Sequence, residues 1–160
     1  MHHSLKLAAT SLVAMMLVGC GTKESSQPVK QEPAKIVEAV FKSTTISQAK
    51  NMLLGACSNN KLAIKSESKV VTCETRNLIS RRERELTLAI DDAYASDIRE
   101  VFEFTLTEQG PDVQVKANSF AKYQAPISVM SANQTRQRNL LDETADATLK
   151  KLLTQAGAKY

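Results

Sequence analysis

The sequence predicts a small single α+β domain, with antiparallel β-hairpins packed against helices in the approximate order α-β-β-α-β-β-α. Three observations predict it. A helix-start signal stands at Thr45, and an apolar stripe at helical spacing runs from Leu141 to Ala156. Between them, Phe102, Phe104 and Leu106 alternate with Glu103 and Thr105, and after Gln109-Gly110-Pro111 the alternation resumes at Val113, Val115 and Ala117. Period-two alternation on both sides of a Gly-Pro turn is the pattern of a hairpin buried on one face only. Helices that bury their stripes on that face complete a two-layer domain.

Each element has its own reason. Ile36 to Phe41 is apolar but too short for periodicity to separate a strand from a helical turn. Thr45-Ile46-Ser47-Gln48 places Thr at the N-cap and Gln at the third helical position, a capping box. Ile46, Ala49, Met52, Leu53, Ala56 and Cys57 follow at helical spacing, and Asn59-Asn60 ends the helix. Lys61 to Lys65 and Val70 to Glu74 are short extended runs, with Ser66-Glu67-Ser68 as the turn between them. Leu78 to Ala95 fits a helix through Ile79, Leu86, Ala89, Ile90 and Ala93, and its Arg, Glu, Leu and Ala residues favour that over a strand. The hairpin comes next, and Tyr123-Gln124-Ala125-Pro126 is expected to leave the sheet. Gln134 to Ala156 reads as the longest helix, with Gly157 at the position that follows a helix C-cap.

The first twenty residues carry a different signal. Lys6 precedes an apolar run from Leu7 to Val18, interrupted only by Thr10 and Ser11. As a helix that run spans roughly 20 Å, short of a bilayer core of about 30 Å, and it suits a secretory signal better than a membrane span. It ends in Leu17-Val18-Gly19-Cys20, which resembles the lipobox of bacterial lipoproteins. The resemblance implies cleavage between Gly19 and Cys20 and a covalent lipid on Cys20, which anchors the chain to a membrane. In Gram-negative lipoproteins an Asp after the cysteine favours the inner membrane. Here Gly21 follows, so the resemblance implies the outer membrane, on its periplasmic face. The expected organisation is a signal peptide over 1–19, the lipidated cysteine and a Ser-, Gln- and Pro-containing tether over 20–35, and the α+β domain over 36–160.

Removal of such a leader has two chemical consequences. Both histidines, His2 and His3, leave with it, which excludes His-based triads, His–Cys dyads and His metal ligands from the mature chain. With Cys20 lipidated, Cys57 and Cys73 remain as a pair in an exported protein, where a disulfide is favoured. Folding the hairpin about Glu67 brings Cys73 near Lys61, close to the helix end that holds Cys57. The alternative is two buried free thiols, and C-x-x-C redox spacing is absent.

Other motifs favour bland readings. Ser47-Gln48-Ala49-Lys50 and Ser66-Glu67-Ser68-Lys69 match S-x-x-K but lack the companion motifs of penicillin-recognising enzymes. Asp91-Asp92 and Asp142, Glu143 and Asp146 belong to helix faces or ends, and no calcium-loop spacing occurs. Arg81, Arg82 and Arg84 alternate with Glu83 and Glu85, the pattern of a solvent-exposed helix. They form the candidate patch for an acidic envelope-protein partner. The formal net charge of +4 is too small to draw the chain strongly to polyanions, and no aromatic platform for nucleic acid accompanies the arginines.

These features predict a lipid-anchored, non-catalytic binding or assembly subunit of a cell-envelope complex, with no cofactor or metal beyond the lipid. A helix–hairpin domain on a lipidated stalk is similar in architecture to the lipoprotein subunits of the outer-membrane β-barrel assembly machinery. An exposed hairpin edge is a docking candidate beside the arginines. The alternative, a protein that binds a small ligand or an envelope polymer between sheet and helices, requires a deep apolar cavity there.

Overall fold

The computed structural model describes residues 33–126 and 133–160. The predicted leader, the lipidation site at Gly19 and Cys20, and the tether as far as residue 32 lie outside the described residues. The element order is β1 (Val37–Phe41), α1 (Ile46–Asn59), β2 (Ala63–Glu67), β3 (Val70–Glu74), α2 (Ser80–Ile90), β4 (Ser96–Gln109), β5 (Asp112–Pro126), β6 (Asn133–Asn139) and α3 (Glu143–Gln155). The strands form one antiparallel sheet in the order β1-β5-β4-β3-β2, with β6 also on β5. The predicted α-β-β-α-β-β-α core is present, with β1 added in front and β6 inserted before the last helix.

Local signals explain the starts of α1 and α3, whereas α2 begins after Ile79 with no side-chain cap. Thr45 accepts a hydrogen bond from the Gln48 N–H while the Gln48 side chain accepts from the Thr45 N–H, so the capping box forms as the sequence predicts. Thr45→Ala removes the acceptor and is expected to cost about 1 kcal/mol in urea unfolding; an unchanged midpoint would deny the box a role. The Asp142 side chain caps α3 by accepting from the Ala145 N–H at 3.0 Å. Helix α3 ends as predicted, with Gly157 at a φ of 83°.

Two expectations are corrected. Gln134 to Asn139 is a strand, not the first turns of the last helix. Its residues are all polar, and the pairing that claims them is long-range: Asn139 lies opposite Phe120 and Asn133 opposite Pro126. Correspondingly, Tyr123 to Pro126 does not leave the sheet but continues β5. Strand β5 is long enough to pair twice along one edge, with β1 through Val113 to Ala117 and with β6 through Phe120 to Pro126. A smaller shift moves the first hairpin turn to Ser68-Lys69, so that Cys73 faces Ile64 and not Lys61.

The alternation of β4 and β5 fixes which face is covered. Phe102, Phe104 and Leu106 of β4 and Val113, Val115 and Ala117 of β5 are buried against Ala49 and Leu53 of α1 and Leu149, Leu152 and Leu153 of α3. Further along the same face of β5, Ala121, Tyr123 and Ala125 pack with Leu86 and Ile90 of α2 and with Leu140 and Ala145. The second cluster is built on alanines, whose small side chains let α2 approach the strand. The two clusters give the long hairpin one helix-covered face from end to end. Its opposite face carries mostly polar residues around a buried cross-strand pair, Val101 and Phe120.

Candidate functional site

Among the described residues the helix-covered face holds a buried charged cluster centred on Arg82 and Glu100. Within α2, Arg82 lies four and eight residues before Leu86 and Ile90, on the buried stripe of the helix. Across from it, Glu100 of β4 shares the inner face with Phe102, and both residues are nearly inaccessible. The Arg82 guanidinium donates through Nη2 and Nε to the Glu100 carboxylate. It also donates to Asp142 Oδ1 at 3.0 Å and Oδ2 at 3.2 Å, and to Glu85 Oε2 at 3.2 Å. One buried cation thus joins α2, β4 and the N-cap of α3.

The chemistry of this cluster is that of a lock. Burial alone would lower the Arg82 pKa, but hydrogen bonds to Glu100 and Asp142 outweigh it and hold the guanidinium charged above the ordinary arginine value. Burial pushes the Asp142 carboxyl up, and the Arg82 and Ala145 hydrogen bonds more than reverse that, leaving it below the usual carboxylate range. The guanidinium is spent on its partners, and a proton-transfer role would need a group free to change state.

The structure therefore divides the predicted arginine patch. Arg82 is withdrawn from it, because its place on the α2 stripe points it at Glu100. That helical offset from Leu86 and Ile90 was the signal available in the sequence. Arg81 is exposed and pairs with Glu85 at 3.0 Å, which lowers the Glu85 pKa. Arg84 Nε donates to the Ser80 carbonyl at 3.2 Å.

The remaining candidates take structural places. Cys57 and Cys73 are joined in a disulfide with a Cα–Cα distance of 6.1 Å, as predicted. Lys50 Nζ donates to the Ser68 carbonyl at 3.2 Å, so its S-x-x-K lysine is engaged away from Ser47. Ser66 lies in β2 and not in the turn. Asp91 is the left-handed C-cap of α2, and Asp92 faces Arg136 at 3.8 Å. Asp146 binds Lys150 at 2.9 Å and Lys35 at 3.2 Å. Among the described residues no His, Cys, Asp and Glu group has a metal-binding arrangement.

Two open clefts flank the segment between β3 and α2. One, of about 410 Å³, lies over the Arg82 cluster between α2 and α3, with Ile79, Arg81, Glu85 and Thr148 on its walls. The other, of about 650 Å³, lies where α1 passes into β2 and includes Lys61 and Arg76. Sequence reasoning missed Glu100, Lys61 and Arg76, because none belongs to a motif and each acquires meaning from neighbours distant in the chain. No protein-family model matches the chain, and neither does any curated protein sequence.

Proposed function

We propose that this protein is a lipid-anchored envelope lipoprotein, held by Cys20 at the periplasmic face of the outer membrane. There its α+β domain serves as a non-catalytic binding or assembly subunit. The observation that carries the reading is the series of a basic N-terminus, a short apolar run and Leu17-Val18-Gly19-Cys20, followed directly by Gly21 and a polar stretch. The Cys57–Cys73 disulfide supports it, because such bonds persist in oxidising compartments.

The filled interior supports macromolecular binding over enclosure of a small ligand. Phe102, Phe104, Leu149 and Leu153 occupy the space between sheet and helices where an apolar ligand cavity would have to lie. The clefts near α2 open to the surface and carry many polar residues, which suits contact with another macromolecule. A non-catalytic role also fits the mutual saturation of Arg82, Glu100 and Asp142.

Two measurements test the proposal. Cys20→Ala is expected to move the protein from the membrane fraction to the released fraction; full retention would overturn the anchor. Crosslinking in intact envelopes is expected to give the same discrete partner with several crosslinkers, and its absence would overturn the assembly role.

A further inference from the structure

The ends of the sheet differ. At β1, the chain's own C-terminus covers part of the outer edge: Val40 N–H donates to the Lys159 carbonyl at 2.8 Å, and Lys159 N–H donates back to Val40 at 2.9 Å. At the other end stands β2, and no described strand pairs with its outer edge. Its hairpin closes at Ser68-Lys69 with Glu67 opposite Val70. Antiparallel bonding alternates inward and outward along a strand, so the main-chain groups of Ile64 and Ser66 face outward from this hairpin. They form a short open template with the partly exposed Ile64 side chain beside it.

The 650 Å³ cleft adjoins the start of this strand. Its lining includes two cations, Lys61 and Arg76, and no carboxylate. Among the described residues neither cation makes an ion pair, and the two carboxylates that flank the Thr75-Arg76 segment, Glu74 in the chain and Glu100 beside Thr75 in the sheet, are already held. Glu74 has Lys65, Arg99 and Lys122 around it, and Glu100 has Arg82. Within the lining, Asn60 is spent on Ala56 and Gln155, and Thr75 on the Glu100 backbone. Among the described residues the side chains of Ser58 and Asn77 have no such engagement, and they stand beside the cations as further hydrogen-bonding groups. Lys61 also occupies a left-handed conformation, with φ at 58°, where glycine is the usual residue. Among the described residues the other non-glycine residues with positive φ are Ser and Asp.

We propose that the β2 edge and this cleft together receive an extended acidic segment of a partner protein. The segment adds to β2 as a strand through Ile64 and Ser66, and one of its carboxylates seats between Lys61 and Arg76. The proposal rests on the assembly reading and supplies the chemistry of its partner. A second copy paired with Ile64 opposite Ser66 would set Lys65 against the same residue of its neighbour, a like-charge contact that disfavours that register.

The test is an NMR titration of the isotope-labelled full chain in detergent micelles. The probe is a synthetic octapeptide alternating glutamate and valine, blocked at both ends, with a lysine–valine peptide and inorganic phosphate as comparisons. Amide shifts are expected at Leu62 to Ser66 and at Thr75 to Asn77 with the acidic peptide alone. Lys61→Gln with Arg76→Gln is expected to weaken binding by about tenfold or more. Ser66→Pro removes an outward N–H while sparing the ladder to β3, and is expected to weaken it comparably. Binding that ignores the cation variants, or that the lysine peptide reproduces, would overturn the proposal. So would peptide binding that survives Ser66→Pro while phosphate alone shifts the same amides, which would leave an ion site without a docking strand. Failure of the peptide to bind, with a partner still crosslinked in envelopes, would remove this docking site and leave the assembly role standing.

Discussion

Arg82→Ala is expected to destabilise the domain by about 3–5 kcal/mol, because it leaves the buried Glu100 carboxylate without its partner. The contrast with Arg81 makes the expectation specific. Arg81 lies one residue away and also binds a glutamate, but its side chain is 86% exposed against 9% for Arg82. Exposed pairs of that kind contribute about 0–1 kcal/mol, so Arg81→Ala should barely move a urea midpoint. The double variant Arg82→Met with Glu100→Leu should recover most of the loss, since two apolar side chains replace the buried pair without stranding a charge. A loss below about 1 kcal/mol for Arg82→Ala would mean that water reaches Glu100 freely. Acid gives a second readout. The Asp142 carboxyl is held below its ordinary value of 3.8, so its contribution is present above that pH and is lost as pH falls through the lower folded value. Without Arg82 the downward shift shrinks, and the variant should lose less further stability on acidification from about pH 4 than the native protein does.

The same cluster marks where the sequence was legible and where it was not. Helix α1 could be read because its start is written within four residues, Thr45 to Gln48, and its buried stripe follows at once. The hairpin of β4 and β5 could be read from Phe102 to Ala117, where large apolar and polar residues alternate around Gly110-Pro111. Beyond Ala117 the signal fades, because three of the four inward positions, Ser119, Ala121 and Ala125, are small and allow close approach, leaving Tyr123 as the one bulky inward residue. Strand β6 has no apolar residue at all between Asn133 and Asn139, and its extended state comes from the second half of β5. A polar segment of that kind reads as a helix as easily as a strand until its partner is known. The arginines failed differently. Charge alternation over Arg81 to Glu85 describes an exposed helix correctly for most positions and conceals the one that faces inward. The cleft with Lys61 and Arg76 was beyond reach, since it depends on where α1 ends relative to the segment after β3.

Loss of the Cys57–Cys73 bond is expected to cost about 3 kcal/mol, the chain-entropy value for a loop of this size, since the cysteines are separated by 16 residues. The position of the bond says where the loss should appear. Cys57 lies in the last turns of α1 and Cys73 in β3, and both are fully buried beside Leu53, Val71 and Phe102. Strand β2, by contrast, is exposed along most of its length and is held by β3 on one side and by its short link to α1. The disulfide fastens both of those supports to each other. Cys57→Ala with Cys73→Ala should therefore lower the urea midpoint and speed amide exchange first in β2 and the neighbouring turn, before β4 and β5 respond. Burial adds a kinetic expectation. A reductant cannot reach either sulfur in the closed domain, so reduction should proceed only through opening and should accelerate with urea. Rapid reduction under native conditions, or two alkylatable thiols in protein taken from envelopes, would show that the bond does not hold α1 to the sheet.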